Sequence, residues 1–100
     1  MVALEEAVME IIVNAGQSRS LCFEALRAAR LGNFDEAQNL LREADGYSRQ
    51  AHQMQTKLIE QDAGEARQPM TLIMVHAQDH LMTSLLAREL SEEIIQLYQR

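Results

Sequence analysis

The sequence predicts an all-α protein, an antiparallel three-helix bundle running up, down and up, and three observations carry that expectation. Apolar residues recur at alternating spacings of three and four along most of the chain, the period of a helix with one buried face. The hydrophobic share is 47% while only 4% is aromatic and no Trp is present, so Leu, Ile, Val, Met and Ala must fill the interior, which suits helices better than sheets. Finally, the breaking residues fall at two places, Gly32 and the stretch from Gly64 to Pro69, which divides the chain into three.

Helix one is expected from about residue 4 to 31, where Leu4, Val8, Ile11, Ala15, Ser18, Cys22, Ala25 and Ala29 form one stripe. Gly16 inside it lowers helix stability by about 1 kcal/mol relative to Ala, which close approach of a neighbouring helix would explain. Gly32 supplies a left-handed stop, and Asn33 with Glu36 reads as a capping box opening helix two, expected over 34–63. Its stripe is Ala37, Leu40, Ala44, Tyr47, Ala51, Met54 and Leu58, which Gly46 weakens without ending. Pro69 suits the first turn of helix three, expected over 69–98. There Met70, Leu72, Ile73, Met74, Val75, Leu81, Met82, Leu85 and Leu86 cover more than half the circumference. Two partner helices cannot cover so wide a face, so a second copy of the chain is the simplest additional partner. Residues 1–100 make a single domain without internal repeats.

The net charge of −6 argues against nucleic acid, whose binding rests on clustered Lys and Arg. Cys22 is the only cysteine, so no internal disulfide forms and a reducing compartment is expected. The beginning of the chain lacks the features of a signal peptide, and no apolar run reaches the roughly 20 residues that span a bilayer. A soluble, cytoplasmic protein is therefore expected.

The chemistry concentrates in Val75-His76-Ala77-Gln78-Asp79-His80. His76 and His80, four apart, share one helix face and suit a zinc ion if a third ligand comes from elsewhere. Ala77, however, holds the position where the metalloprotease pattern needs Glu. An ordinary polar role is the bland alternative, and a structural or adaptor oligomer would use neither imidazole. The third reading is nucleophilic: a neutral imidazole accepts a phosphoryl group without a separate base, and Gln78 or His80, from this subunit or the next, supplies donors to its oxygens. Asp79 stands in the stripe Leu72, Val75, Asp79, Met82, Leu86, a carboxylate within an apolar seam. In a symmetric oligomer its copies converge and repel unless they share a cation or protons. His52 is expected to flank the bundle, Cys22 to pack as a small hydrophobe, and Glu89, Glu92 and Glu93 to form a solvated face.

The segment Thr71-Leu72-Ile73-Met74-Val75-His76-Ala77-Gln78-Asp79-His80-Leu81-Met82-Thr83 resembles the active-site helix of the lactose/cellobiose-specific enzyme IIA proteins of the bacterial phosphoenolpyruvate-dependent sugar phosphotransferase system. Asn14-Ala15-Gly16 with Ser20-Leu21, Gly32-Asn33-Phe34, Ala51-His52 with Gln55-Thr56, and Glu93-Ile94-Ile95 extend the likeness over nearly the whole chain; Arg67-Gln68-Pro69 departs from it. The resemblance implies a homotrimer with helix three lining the axis. It implies that His76 becomes a tele-phosphohistidine, taking phosphate from the carrier protein HPr and passing it to a cysteine of the IIB component during disaccharide uptake. It further implies one Mg2+ per trimer held at the axis through Asp79, phosphate contacts from Gln78 and His80, and a membrane connection only through the IIC permease.

Overall fold

The computed structural model describes residues 3–100. The described residues form three helices, α1 (Leu4–Arg30), α2 (Phe34–Ala63) and α3 (Leu72–Gln99), in a rod of 51 × 19 × 17 Å. α1 ends where its sequence says it should: Gly32 takes φ +84°, the Gly32 N–H donates to the Ala29 carbonyl at 2.9 Å and the Asn33 N–H to that of Ala28 at 2.9 Å. That pair of bonds satisfies the last carbonyls of the helix and reverses the chain. Arg27 and Arg30 in the last turn of α1, and Asp35 and Glu36 in the first turn of α2, oppose the respective helix dipoles. The capping box at Asn33 does not form. Its side chain makes no cap, and its contribution is through the backbone, whose carbonyl accepts from the Ala37 N–H at 3.0 Å.

The second boundary also differs from the sequence expectation. α3 begins at Leu72 and not at Pro69, because the Thr71 side chain accepts a hydrogen bond from the Met74 N–H at 3.2 Å and so sets the start. The segment before it is tied back to α2, where Asp62 Oδ1 accepts from the Gln68 N–H at 2.7 Å.

α1 packs against both other helices, while α2 and α3 touch over less of their length. Every residue of the expected α1 stripe from Val8 onward is buried, joined by Ala7, Leu21 and Ala28, as a helix with two partners requires. In α2 the stripe runs Ala37, Leu41, Ala44, Ser48, Ala51, Met54, Leu58, so Leu40 is only half-buried and Tyr47 is exposed. Ser48 hid that phase in the sequence: its hydroxyl bonds the equally buried Ser18 hydroxyl at 2.7 Å, and paired hydroxyls can be buried at little loss. Two apolar clusters result. One joins Val8, Ile11, Met54, Leu58, Met74 and Leu81 near the start of α3; the other joins Leu21, Cys22, Ala25, Leu41 and Ile95 near its end. Ser18 and Ser48 lie between them in sequence on both helices.

Gly16 does not mark a close helix approach, since a Cβ placed there would meet nothing within 4 Å; the position is half-buried on the far side of α1. Between α2 and α3 the main polar tie is Arg88, which grips Asp45 with two bonds of 2.7 and 3.1 Å and reaches Glu92 at 3.4 Å. Glu92 is thereby a partner of Arg88, and only half-buried, and not simply part of a solvated glutamate face.

Cys22 lies in the core as expected, and burial pushes its thiol up from the ordinary value, against the opposing influences of Arg88 and a hydrogen bond with Ser91. The folded thiol holds its proton more tightly than the unfolded one, so its stabilising contribution is complete below the ordinary thiol value of 9.0 and fades as pH rises beyond it. Alkylation of Cys22 by iodoacetamide should therefore require unfolding; fast labelling of the native protein would contradict this burial. Leu81→Ala, at a side chain with no exposure, should lower the unfolding free energy in urea by about 2–5 kcal/mol.

Candidate functional site

The inner row of α3, Met74, Ala77, Leu81, Ser84, Ser91 and Ile95, faces the bundle. At about 100° per residue this orientation fixes where every other side chain of α3 points. Leu72, Val75, Met82, Leu86 and Leu90 lie on the opposite face, with Leu72 86% and Met82 58% exposed, and no element among the described residues covers them. Asp79 is exposed among them, as the three-four stripe requires. From Leu72 to Ala87 it is the only Asp, Glu, Lys or Arg, and among the described residues no ion pair engages it.

His76 and His80 sit on one flank of this face. Their Nε2 atoms approach to 3.1 Å, with ring centroids 4.4 Å apart and ring planes at 87°. One imidazole therefore donates a proton from Nε2 and the other accepts it there. His76 is exposed and lines a shallow cleft with Leu72 and Ile73. Ile73 also borders a second cleft, of ≈ 420 Å³, between the starts of α1 and α3, lined further by Leu4, Glu5, Val8, Met9 and Thr71. The nucleophile candidate thus stands beside an open apolar surface, next to a polar neighbour able to orient it.

Gln78 is not brought to His76. Two residues along a helix are about 200° apart, and Gln78 lies on the flank that meets α2. There Gln55 Nε2 donates to its side-chain oxygen, and its own Nε2 approaches Met74 Sδ at 3.8 Å. Within one chain, then, His76 pairs with His80, while Asp79 and Gln78 each face elsewhere. Among the described residues no third His, Cys, Asp or Glu joins the two imidazoles, so the zinc reading lacks its remaining ligand in this chain. His52 is exposed on α2 beside Asp45, Ser48, Arg49 and Leu85, at the flank where it was expected. The residue that periodicity did not single out is Gln55. Its position four after buried Ala51 and one after buried Met54 is the only sign that it borders the α2 and α3 seam.

The chain matches the family model of the PTS system lactose/cellobiose-specific IIA subunit over residues 6–99. It is 50% identical over 97 residues to the PTS system N,N'-diacetylchitobiose-specific EIIA component of Escherichia coli K12, covering 97% of this chain and 84% of that one. Its fold superposes on the crystal structure of the PTS cellobiose-specific enzyme IIA from Bacillus anthracis with TM-score 0.94 and 35% identity, covering 99% of this chain and 91% of that chain. The IIA of chitobiose in complex with HPr, from the N,N'-diacetylchitobiose branch of the E. coli phosphotransferase system, matches with TM-score 0.85 and 48% identity, covering 99% of this chain and 96% of that one. An all-helical subunit of this shape with such relatives is a IIA-type component of a phosphotransferase system. The chain belongs to the lactose/cellobiose-specific IIA family, the same family that the segment around His76 resembles.

The imidazole contact makes a spectroscopic expectation. With both rings neutral, long-range proton–nitrogen correlation should find one of His76 and His80 protonated at Nε2 and the other bearing its lone pair there. Finding both protonated at Nδ1 would set two lone pairs face to face and contradict the contact.

Proposed function

We propose that this chain is a cytoplasmic phosphoryl carrier for disaccharide uptake, and that His76 is the residue that carries the phosphate. The observation that supports it most is the accessible His76 imidazole held at Nε2 by His80 on an uncovered face of α3, in a chain of this family. The E. coli relative in complex with HPr supports phospho-HPr as the donor, and a cysteine of a IIB component is the acceptor. No helix among the described residues is long and apolar enough to cross a membrane, which agrees with a carrier that reaches the permease only through IIB.

The transfer follows from the groups present. The His76 Nε2 lone pair attacks phosphorus in line while the bond from phosphorus to the donor imidazole breaks, its electron pair returning to the donor ring. In the tautomer in which His80 is the donor of the Nε2 contact, its proton leaves the His76 lone pair as that pair attacks and turns to a phosphoryl oxygen once the N–P bond has formed. The IIB thiolate then attacks phosphorus from the opposite side, and the His76 lone pair is restored. The neighbouring Leu72 and Ile73 exclude water from one side of the phosphohistidine, which favours transfer over hydrolysis.

The wide apolar face of α3 is the seam of a homotrimer. Packing three copies there covers Leu72, Val75, Met82 and Leu86 and brings three Asp79 carboxylates toward the axis. Hard carboxylate oxygens without a cationic side chain beside them fit a divalent ion such as Mg2+, which would neutralise their repulsion there. Gln78, turned away from the His76 of its own chain, then serves the phosphate on a neighbouring copy.

Radiolabel from phosphoenolpyruvate, enzyme I and HPr should enter the wild-type chain and be absent from His76→Ala. Equal labelling of the variant would remove His76 from the mechanism. Asp79→Leu should abolish stoichiometric Mg2+ while sedimentation still gives a trimer, at least as stable as wild type because an apolar side chain replaces converging charges. A monomeric wild type would defeat the seam.

A further inference from the structure

Gln55 on α2 has no part in that transfer, yet among the described residues it makes the one hydrogen bond that reaches the Gln78 oxygen. We propose that Gln55 is a positioning residue for phosphoryl transfer: it fixes which end of the Gln78 amide is offered to the phosphate. The inference rests on the reading of Gln78 as a phosphate donor.

A carboxamide has one accepting end and one donating end, and the two are nearly equal in size, so nothing in its shape prevents it from turning over. A phosphoryl group carries acceptors only. Gln78 is therefore useful with its nitrogen outward and harmful with its oxygen outward, where two electron-rich groups would oppose each other. The hydrogen bonds around the amide select the useful state. Gln55 Nε2 donates to Gln78 Oε1, which occupies the oxygen on the α2 side, while the Gln78 nitrogen meets only the weak thioether acceptor of Met74 at 3.8 Å. One amide hydrogen is thus held only by a weak acceptor, and the other is left for a stronger one.

Both side chains are half-buried, so bulk water competes poorly for the amide oxygen. Gln55 is held in turn by α2, between buried Met54 and the turn that begins at Ala51. α2 thereby acts on the reaction without touching phosphate. Because α2 and α3 touch over less of their length than either touches α1, this bond is one of few polar ties that register the two helices near the site.

The test uses Gln55→Glu, whose carboxylate only accepts, and Gln55→Lys, whose ammonium only donates. In Gln55→Glu the Gln78 amide should turn its nitrogen to Glu, and phosphorylation by phospho-HPr should slow roughly tenfold or more, the scale of one lost hydrogen bond to a charged group. Gln55→Lys should remain near the wild-type rate. In a Gln78→Leu background both substitutions should become neutral, which separates amide positioning from a direct effect of the new charge on the phosphate. Persistence of the Gln55→Glu defect in that background, or a wild-type rate for Gln55→Glu alone, would overturn the proposal. A wild-type rate for Gln78→Leu itself would instead remove the Gln78 reading, and this inference with it. Retained helical signal and urea midpoint in each variant identify the rate changes as local.

Discussion

The burial of one row of α3 against the bundle decides where the chemistry can occur. Met74, Ala77, Leu81, Ser84, Ser91 and Ile95 point inward, so helix geometry sends Leu72, Val75, Asp79 and Leu86 outward, His76 and His80 to one flank, and Gln78 to the other. No local propensity could have separated His76 from Gln78 in this way, since they are two residues apart. Rotation of α3 by one position would turn His76 and His80 inward in one sense and Gln78 in the other, and either would move Leu81 out of the core that fully encloses it. The apolar core is thus what holds the His76 imidazole outward.

That constraint also explains the division of labour among the helices. α1 supplies the broad apolar surface on which both others pack, and its alanines and Cys22 let them lie close. α2 meets α3 along one flank. Its contribution is to hold α3, through the two-pronged Asp45 grip on Arg88 at one end and through Gln55 on Gln78 near the other. Within the single chain the imidazole pair is assembled, while the Asp79 carboxylate lies on the exposed face of α3 and the Gln78 amide on the flank toward α2.

Much of this was legible from residue spacing. The three helices, the Gly32 stop, the α1 stripe and the excess apolar face of α3 all follow from periodicity, because burial imposes the same period on sequence and structure. What periodicity lost were positions where polar groups replace apolar ones. Ser48 disguised the true phase of α2, since a paired hydroxyl in the core looks like a surface residue in sequence. Thr71, a single cap hydroxyl, overrode the start that Pro69 suggested. At the site itself, spacing alone left His76 no more telling than an ordinary surface imidazole; the motif around it supplied the chemistry, and the 3.1 Å contact supplied its geometry. Gln55 stayed hidden because a glutamine at a helix seam has no period of its own.

The central claim is that the working site is shared, with His76 from one copy and Gln78 from another. It is tested most directly by mixing His76→Ala chains with Gln78→Leu chains, refolding them together and measuring phosphorylation by phospho-HPr. The account expects the mixed trimers to regain fast sites, where a Gln78→Leu chain's intact His76 meets the intact Gln78 of a His76→Ala neighbour. A rate equal to the sum of the two variants measured separately would contradict it.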